Sequence, residues 1–283
     1  VLSSAYQQAQ LNAGIFSPDT VTIGDLFAGA ILPGLILPIL YIFYIKSQKI
    51  NKNQTDRNYI QDYQYQDLLK SFLPPLILIF LVLGSIILGF ATPSEAAAVG
   101  AAGALLLSFM QSKFTKDILE KTSRQTIKIT SMVFMILIGA TLFSLVFRGF
   151  EGESLIHSLL IDLPSDKNIS LIIVLILMFF LGFILDFIEI IFIVIPLFGP
   201  TLFSLGFDPI WIGILIAMVL QTSFLTPPFG FSLFYLRGVA PKNISTSDIY
   251  KGVYPFIGLQ ILVIIFIFLF PGITTFLPEI LFD

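Results

Sequence analysis

Apolar runs long enough to cross a lipid bilayer recur along this chain, and they leave little choice of architecture. Leu26 to Ile45, Phe72 to Phe90, Ile129 to Phe147 and Val253 to Phe270 are such runs. A helix needs about 20 apolar residues to cross the hydrocarbon core. From Ile169 to Leu205 the chain stays apolar for about twice that length, interrupted by Asp186, Glu189, Pro196 and Gly199-Pro200. Barrel strands would instead alternate apolar and polar residues in segments of about ten. No such alternation appears, so the expected fold is an all-α integral membrane protein, a multi-span helical bundle.

Composition sharpens the class. The chain is 56% hydrophobic and 12% charged, with a mean hydropathy of +0.95, against roughly 25% charged residues in a soluble domain. The lipid bilayer is therefore its solvent. Cysteine is absent and there is one histidine, which excludes disulfides and thiolate chemistry and leaves no transition-metal centre expected. No cofactor is expected on these grounds. The net charge of −3 carries no nucleic-acid footprint, so nucleic acid is not an expected partner. The chain opens at Val1 with neither methionine nor a charged leader, and it reads as a piece of a longer protein.

Charge bias orders the spans. Residues 1–20 read as a linker or hairpin end, and Thr22-Ile23-Gly24-Asp25 as a cap for the first span. Residues 21–128 hold membrane helices with basic, cytoplasmic loops at 46–70 and 111–128. Residues 129–283 hold the remaining helices, starting with an outward crossing into an acidic loop, 148–168, that carries Glu151, Glu153, Asp162 and Asp166. Asp208-Pro209 offers an N-cap with proline at the first helical position. All three parts belong to one membrane domain.

The sharpest local feature is Leu225-Thr226-Pro227-Pro228-Phe229-Gly230, set in an apolar stretch. Prolines donate no N–H, so carbonyls around Thr222 to Leu225 lose their helical partners. Irregular backbone at membrane depth survives only inside protein or beside a polar cavity, and discontinuous helices use it to hold ions and substrates. Carbonyls of Ser223 and Leu225 are candidate cation ligands, and a simple proline kink is the alternative. Asp186 and Glu189 each cost roughly 2.5 to 3.5 kcal/mol at mid-membrane; the open readings are that one lies at a loop on the cytoplasmic face, that they carry a proton, or that they hold a cation, with Asp186 the preferred carboxylate for a hard cation. Thr92-Pro93-Ser94-Glu95 has the form of a capping box. A direct ligand role for Thr92 and Ser94 stays open beside that structural one. The small residues from Ala96 to Ala104 allow another helix to approach closely.

In their order, Gly24 to Gly34, Ala91 to Ala98, Gly182 to Asp186 and Thr226 to Gly230 resemble landmarks of the large, DctM-like permease subunit of tripartite ATP-independent periplasmic (TRAP) transporters, in its C-terminal portion. The likeness runs along nearly the whole chain. It implies proline-broken, re-entrant hairpins and one half of an elevator-type transporter in the bacterial inner membrane. It implies sodium as the coupling ion, an organic acid as substrate, and two partners, a periplasmic substrate-binding protein and a small DctQ-like membrane subunit. Carried over by position, Ser223, Leu225 and Pro228 with Asp186 are implied as a sodium site. Thr226 and Gly230 are implied on the substrate side. Phe187-Ile188-Glu189 after Asp186 departs from the family pattern.

Two other classes compete. A non-transporting scaffold subunit would use the breaks for packing alone. An intramembrane hydrolase would need Asp186 and Glu189, or another carboxylate, to converge on a water. No nucleophile motif supports the hydrolase, so no enzyme is expected.

Overall fold

The computed structural model describes residues 1–48, 65–111, 114–161, 167–227, 230–241 and 244–282. Among these residues every regular element is helical. The helices are α1 (Leu2–Asn12), α2 (Ile23–Ser47), α3 (Tyr65–Ile87), α4 (Pro93–Met110), α5 (Lys116–Gly149) and α6 (Gly152–Ile161). They continue as α7 (Lys167–Leu181), α8 (Phe187–Ser204), α9 (Pro209–Leu225), α10 (Phe231–Val239), α11 (Thr246–Leu269) and α12 (Gly272–Phe282). Five of them, α2, α4, α5, α8 and α11, are long and apolar enough to cross a membrane. The large apolar side chains that α3 and α5 leave uncovered, such as Phe80, Phe134 and Met135, would be untenable in water. The protein is a multi-pass helical membrane protein.

Side-chain caps set many of the helix starts. Thr22 and Asp25 cap α2 reciprocally: Asp25 Oδ2 accepts the Thr22 N–H at 2.7 Å and Thr22 Oγ1 accepts the Asp25 N–H at 3.1 Å. Thr92 with Glu95 and Ser245 with Asp248 form full capping boxes at α4 and α11. At α9 the Asp208 carboxylate accepts the Trp211 N–H at 2.7 Å, with Pro209 leading the helix. Each cap supplies an acceptor to N–H groups that have no partner within the helix.

The polar segments hold more helix than the charge pattern suggests. Much of 111–128, expected as a loop, is the first part of α5, whose 34 residues extend about 51 Å at 1.5 Å per residue. That exceeds the roughly 30 Å hydrocarbon core, so its polar turns stand clear of the apolar part. Thr115 accepts the Ile118 N–H, and Asp117–Lys121 and Glu120–Arg124 pair at 2.7 and 2.8 Å along this stretch. Helical α1 and α6 likewise lie within 1–20 and 148–168. In both places a polar sequence with good i,i+4 pairing or packing stays helical outside the bilayer-like run.

The chain divides into two compact units, residues 42–129 and residues 1–41 with 130–283. In the first, α3 and α4 form a hairpin in which Gly100 sits over Val82 and Gly103 over Leu78. The pairing of these positions is antiparallel. It realises the close approach that the small-residue face of α4 permits.

In the second unit α9 is the central helix. It is apolar on every side and buried nearly throughout, with Ile212, Leu215 and Thr222 at 1%, 0% and 0% exposure, as expected of a helix packed on all faces. It packs against α1, α7, α10, α11 and α12. One hydrogen bond ties it to α11. The Ile267 carbonyl would normally accept from residue 271, which is a proline, and Trp211 Nε1 donates to it instead at 2.9 Å. Trp211→Phe removes that donor and leaves a buried carbonyl unpaired. A loss of about 1–3 kcal/mol is expected, read as a lower unfolding temperature in detergent. An unchanged temperature would show that the bond contributes nothing.

Candidate functional site at the α9 break

α9 stops at Leu225, and Thr226 takes an extended conformation (φ −91°, ψ 125°) before α10 begins at Phe231. The helix is therefore interrupted, not merely bent. Thr226 closes the end of α9 with two bonds. Its Oγ1 donates to the Thr222 carbonyl at 2.7 Å and its N–H donates to the Ser223 carbonyl at 3.1 Å. The Ser223 carbonyl would otherwise await an N–H from residue 227, a proline. One threonine thus serves two of the carbonyls that the break strips, and each keeps a second lone pair.

Beyond the described break, Gly230 returns against the end of α9. A Cβ there would lie 2.7 Å from the Phe224 carbonyl oxygen and 3.1 Å from that of Thr226. Only glycine lets the backbone come so near. Leu225 packs with Leu233 of α10 and with Ile249, Val253 and Ile257 of α11, a small core of its own beside the break.

The turn between α7 and α8 meets this same end of α9. Gly182 is packed on the Ser223 side chain so tightly that a Cβ would lie 2.7 Å from Ser223 Cβ and would overlap Ser223 Oγ. The Phe187 and Phe224 rings meet edge to face at 5.7 Å. Between these two contacts in sequence stands Asp186, the N-cap of α8, half-buried, with its Oδ1 accepting the Phe187 N–H at 2.8 Å. Its second oxygen retains acceptor capacity. Glu189 lies in the first turn of α8, half-buried, so the acidic pair straddles a helix start. The turn that carries Asp186 therefore meets the end of α9 at Ser223 and Phe224.

Ser223 Oγ is fully buried and donates to the Leu220 carbonyl at 2.7 Å, which leaves its lone pairs as acceptors. Pro228 lies outside the described residues. Thr92 and Ser94 stand in the other compact unit. The Thr92 hydroxyl is engaged in the α4 cap, where it donates to Glu95 Oε2 at 2.8 Å and accepts the Glu95 N–H at 3.4 Å. Ser94 is exposed. Among the described residues, histidine, aspartate and glutamate form no group of three or more able to hold a metal. The oxygens at the break are carbonyls and hydroxyls, a set suited to a hard cation.

The profile of the family described as "Tripartite ATP-independent periplasmic transporter, DctM component" matches residues 13–273. The chain belongs to this DctM family. Among its relatives is the C4-dicarboxylate TRAP transporter large permease protein DctM of Vibrio cholerae, 27% identical over 92% of this chain and 62% of the relative. The isethionate TRAP transporter permease protein DctMQ of Oleidesulfovibrio alaskensis is 28% identical over 92% of this chain and 40% of its own length. The ectoine TRAP transporter large permease protein TeaC of Halomonas elongata is 27% identical over 92% and 61%. This DctM chain thus spans less than two thirds of the relatives it matches. The names of these relatives are those of transport proteins, not enzymes, and their solutes differ.

Proposed function

We propose that this DctM chain supplies a cation- and substrate-binding part of a sodium-coupled secondary permease that imports an organic acid across the bacterial inner membrane. A periplasmic binding protein delivers the acid, and a small DctQ-like membrane subunit completes the permease. The observation that carries the reading is the meeting of the Asp186 turn with the broken end of α9. The family to which the chain belongs supports the wider assembly.

Sodium is the coupling ion in this reading, and no other cofactor takes part. Asp186, with the carbonyls of Ser223, Leu225 and Pro228, holds it. Thr226 and Gly230 face the substrate, and the positive N-terminal end of α10 favours its carboxylate. Sodium falling down its gradient stabilises the closed break, and the closed break binds the acid. Two ligands are thereby coupled through one element with two states.

Uptake is measured in proteoliposomes holding the complete permease and its binding protein. It should require an inward sodium gradient and fall by about tenfold or more in Asp186→Ala and Thr226→Ala. Wild-type uptake sustained by a proton gradient in sodium-free buffer would remove sodium from the scheme. Sodium binding to the purified membrane protein separates a transporting role from a packing scaffold.

A further inference from the structure

A groove of ≈ 520 Å³ runs between α7 and α11, the two helices that flank α9. Leu175 and Thr222 belong to its floor, and both are buried. Ile172 and Ile176 of α7 and Ile265 and Phe268 of α11 form its lips. Ile176 and Ile265 are 50% and 54% exposed, so the groove opens sideways at the surface of the bundle. Its lining is hydrocarbon. Thr222 contributes a hydroxyl, and that Oγ1 donates to the Met218 carbonyl at 2.7 Å. A water needs two to four polar partners, which these walls do not offer. An apolar occupant gives the walls dispersion contacts that a void would forfeit.

One end of the groove carries a charge. Lys167 opens α7, five residues before Ile172, a rise of about 7.5 Å along the helix. Its side chain is exposed, with Nζ 5.1 Å from the centre of the Phe207 ring and donating to the Leu205 carbonyl at 3.4 Å. An ammonium has three donors, so two remain for an anion. From Phe207 a row of rings leads back to the groove. Phe207 and Trp211 lie 5.7 Å apart, and so do Trp211 and Phe268. From this end the groove reaches to Thr222, one turn short of the α9 break at Thr226. A cation at the helix start, aromatic rings beside it and hydrocarbon below follow the order of polarity along a phospholipid.

We infer that the groove between α7 and α11 is a binding site for an acyl chain of an anionic phospholipid whose phosphate pairs with Lys167. A helix from another protein would also cover an apolar groove, but it would not by itself bring an anion to the ammonium. The site stands apart from the sodium reading, since it uses none of the residues proposed for the ion and needs no gradient.

The test uses the fluorescence of Trp211, the one tryptophan of the chain, which packs on Phe268 at the groove. Purified protein in dodecylmaltoside micelles is titrated with phosphatidylglycerol brominated along its acyl chains, and separately with brominated phosphatidylcholine. Saturable quenching is expected, with phosphatidylglycerol about fivefold tighter. Lys167→Gln should remove that preference and keep saturable quenching by both lipids. Ile176→Phe combined with Ile265→Phe fills the groove from exposed positions and should weaken binding about tenfold or more, with gel filtration confirming folded protein. The inference is overturned if wild-type quenching rises in proportion to lipid without saturating, if the filled variant binds like wild type, or if Lys167→Gln keeps the preference for phosphatidylglycerol. A photo-cross-linker in place of Ile265 that joins another polypeptide instead of lipid, in intact membranes, would assign the groove to a protein partner and overturn it equally. A failure of sodium-driven uptake leaves this binding untouched, so the two readings fail separately.

Discussion

Replacing Gly230 with alanine is expected to abolish most sodium-driven uptake while leaving the bundle folded. The added Cβ would stand 2.7 Å from the Phe224 carbonyl oxygen and 3.1 Å from that of Thr226. Both are backbone atoms, so no side-chain rotation relieves the contact, and the break must open instead. Opening separates Gly230 from the end of α9 and disperses the oxygens proposed for sodium. A fall of about tenfold or more in initial uptake is expected. Saturating sodium should also stop raising the unfolding temperature, since a ligand at 100 times its Kd contributes about 2.7 kcal/mol only when the native state binds it. Wild-type sodium stabilisation in the Gly230→Ala protein would show that the closed break is not the ion site.

The second large effect is expected at Gly182. Here an alanine Cβ meets Ser223 Cβ at 2.7 Å as well as its hydroxyl, and Ser223 is wholly buried in α9. The α7–α8 turn has to lift away, carrying Asp186 with it. Overpacking of this kind costs about 1–3 kcal/mol, so both unfolding temperature and sodium affinity should fall. Ser223→Gly in the same chain clears both opposing atoms, at the cost of a glycine in a helix of roughly 1 kcal/mol. Recovery of sodium affinity in the double variant relative to Gly182→Ala alone would demonstrate direct coupling through this contact. Additive losses would show that the turn and the α9 end act independently.

Much of the fold was legible because its signals are local. Asp208-Pro209, Thr92 to Glu95 and Thr22 to Asp25 announce helix starts through short side chains that reach only a turn away, and each caps its helix as its sequence suggests. The division of the long run from Ile169 to Leu205 near Asp186 was equally visible, since a charge inside an apolar stretch demands a reason. The helical character of 116–128 was not. Its charges mark a segment outside the apolar run, but ion pairs four apart hold such a segment helical as readily as loops leave it irregular.

At the candidate site the sequence marked the oxygens and missed how they are engaged. The loss of helical partners at the Ser223 and Phe224 carbonyls follows from Pro227 and Pro228 alone. That Thr226 satisfies both Thr222 and Ser223 carbonyls depends on the path of the chain after the break.

The sequence by itself determined the solvent of this protein, its helical class and the place where α9 must stop, because hydropathy, capping and proline chemistry act on neighbouring residues. Only the tertiary structure decided that the Asp186 turn lies on the broken end of α9, through the Gly182–Ser223 and Phe187–Phe224 contacts. Such contacts depend on the packing of helices far apart in the chain, and no local rule sets which face of one meets which end of another.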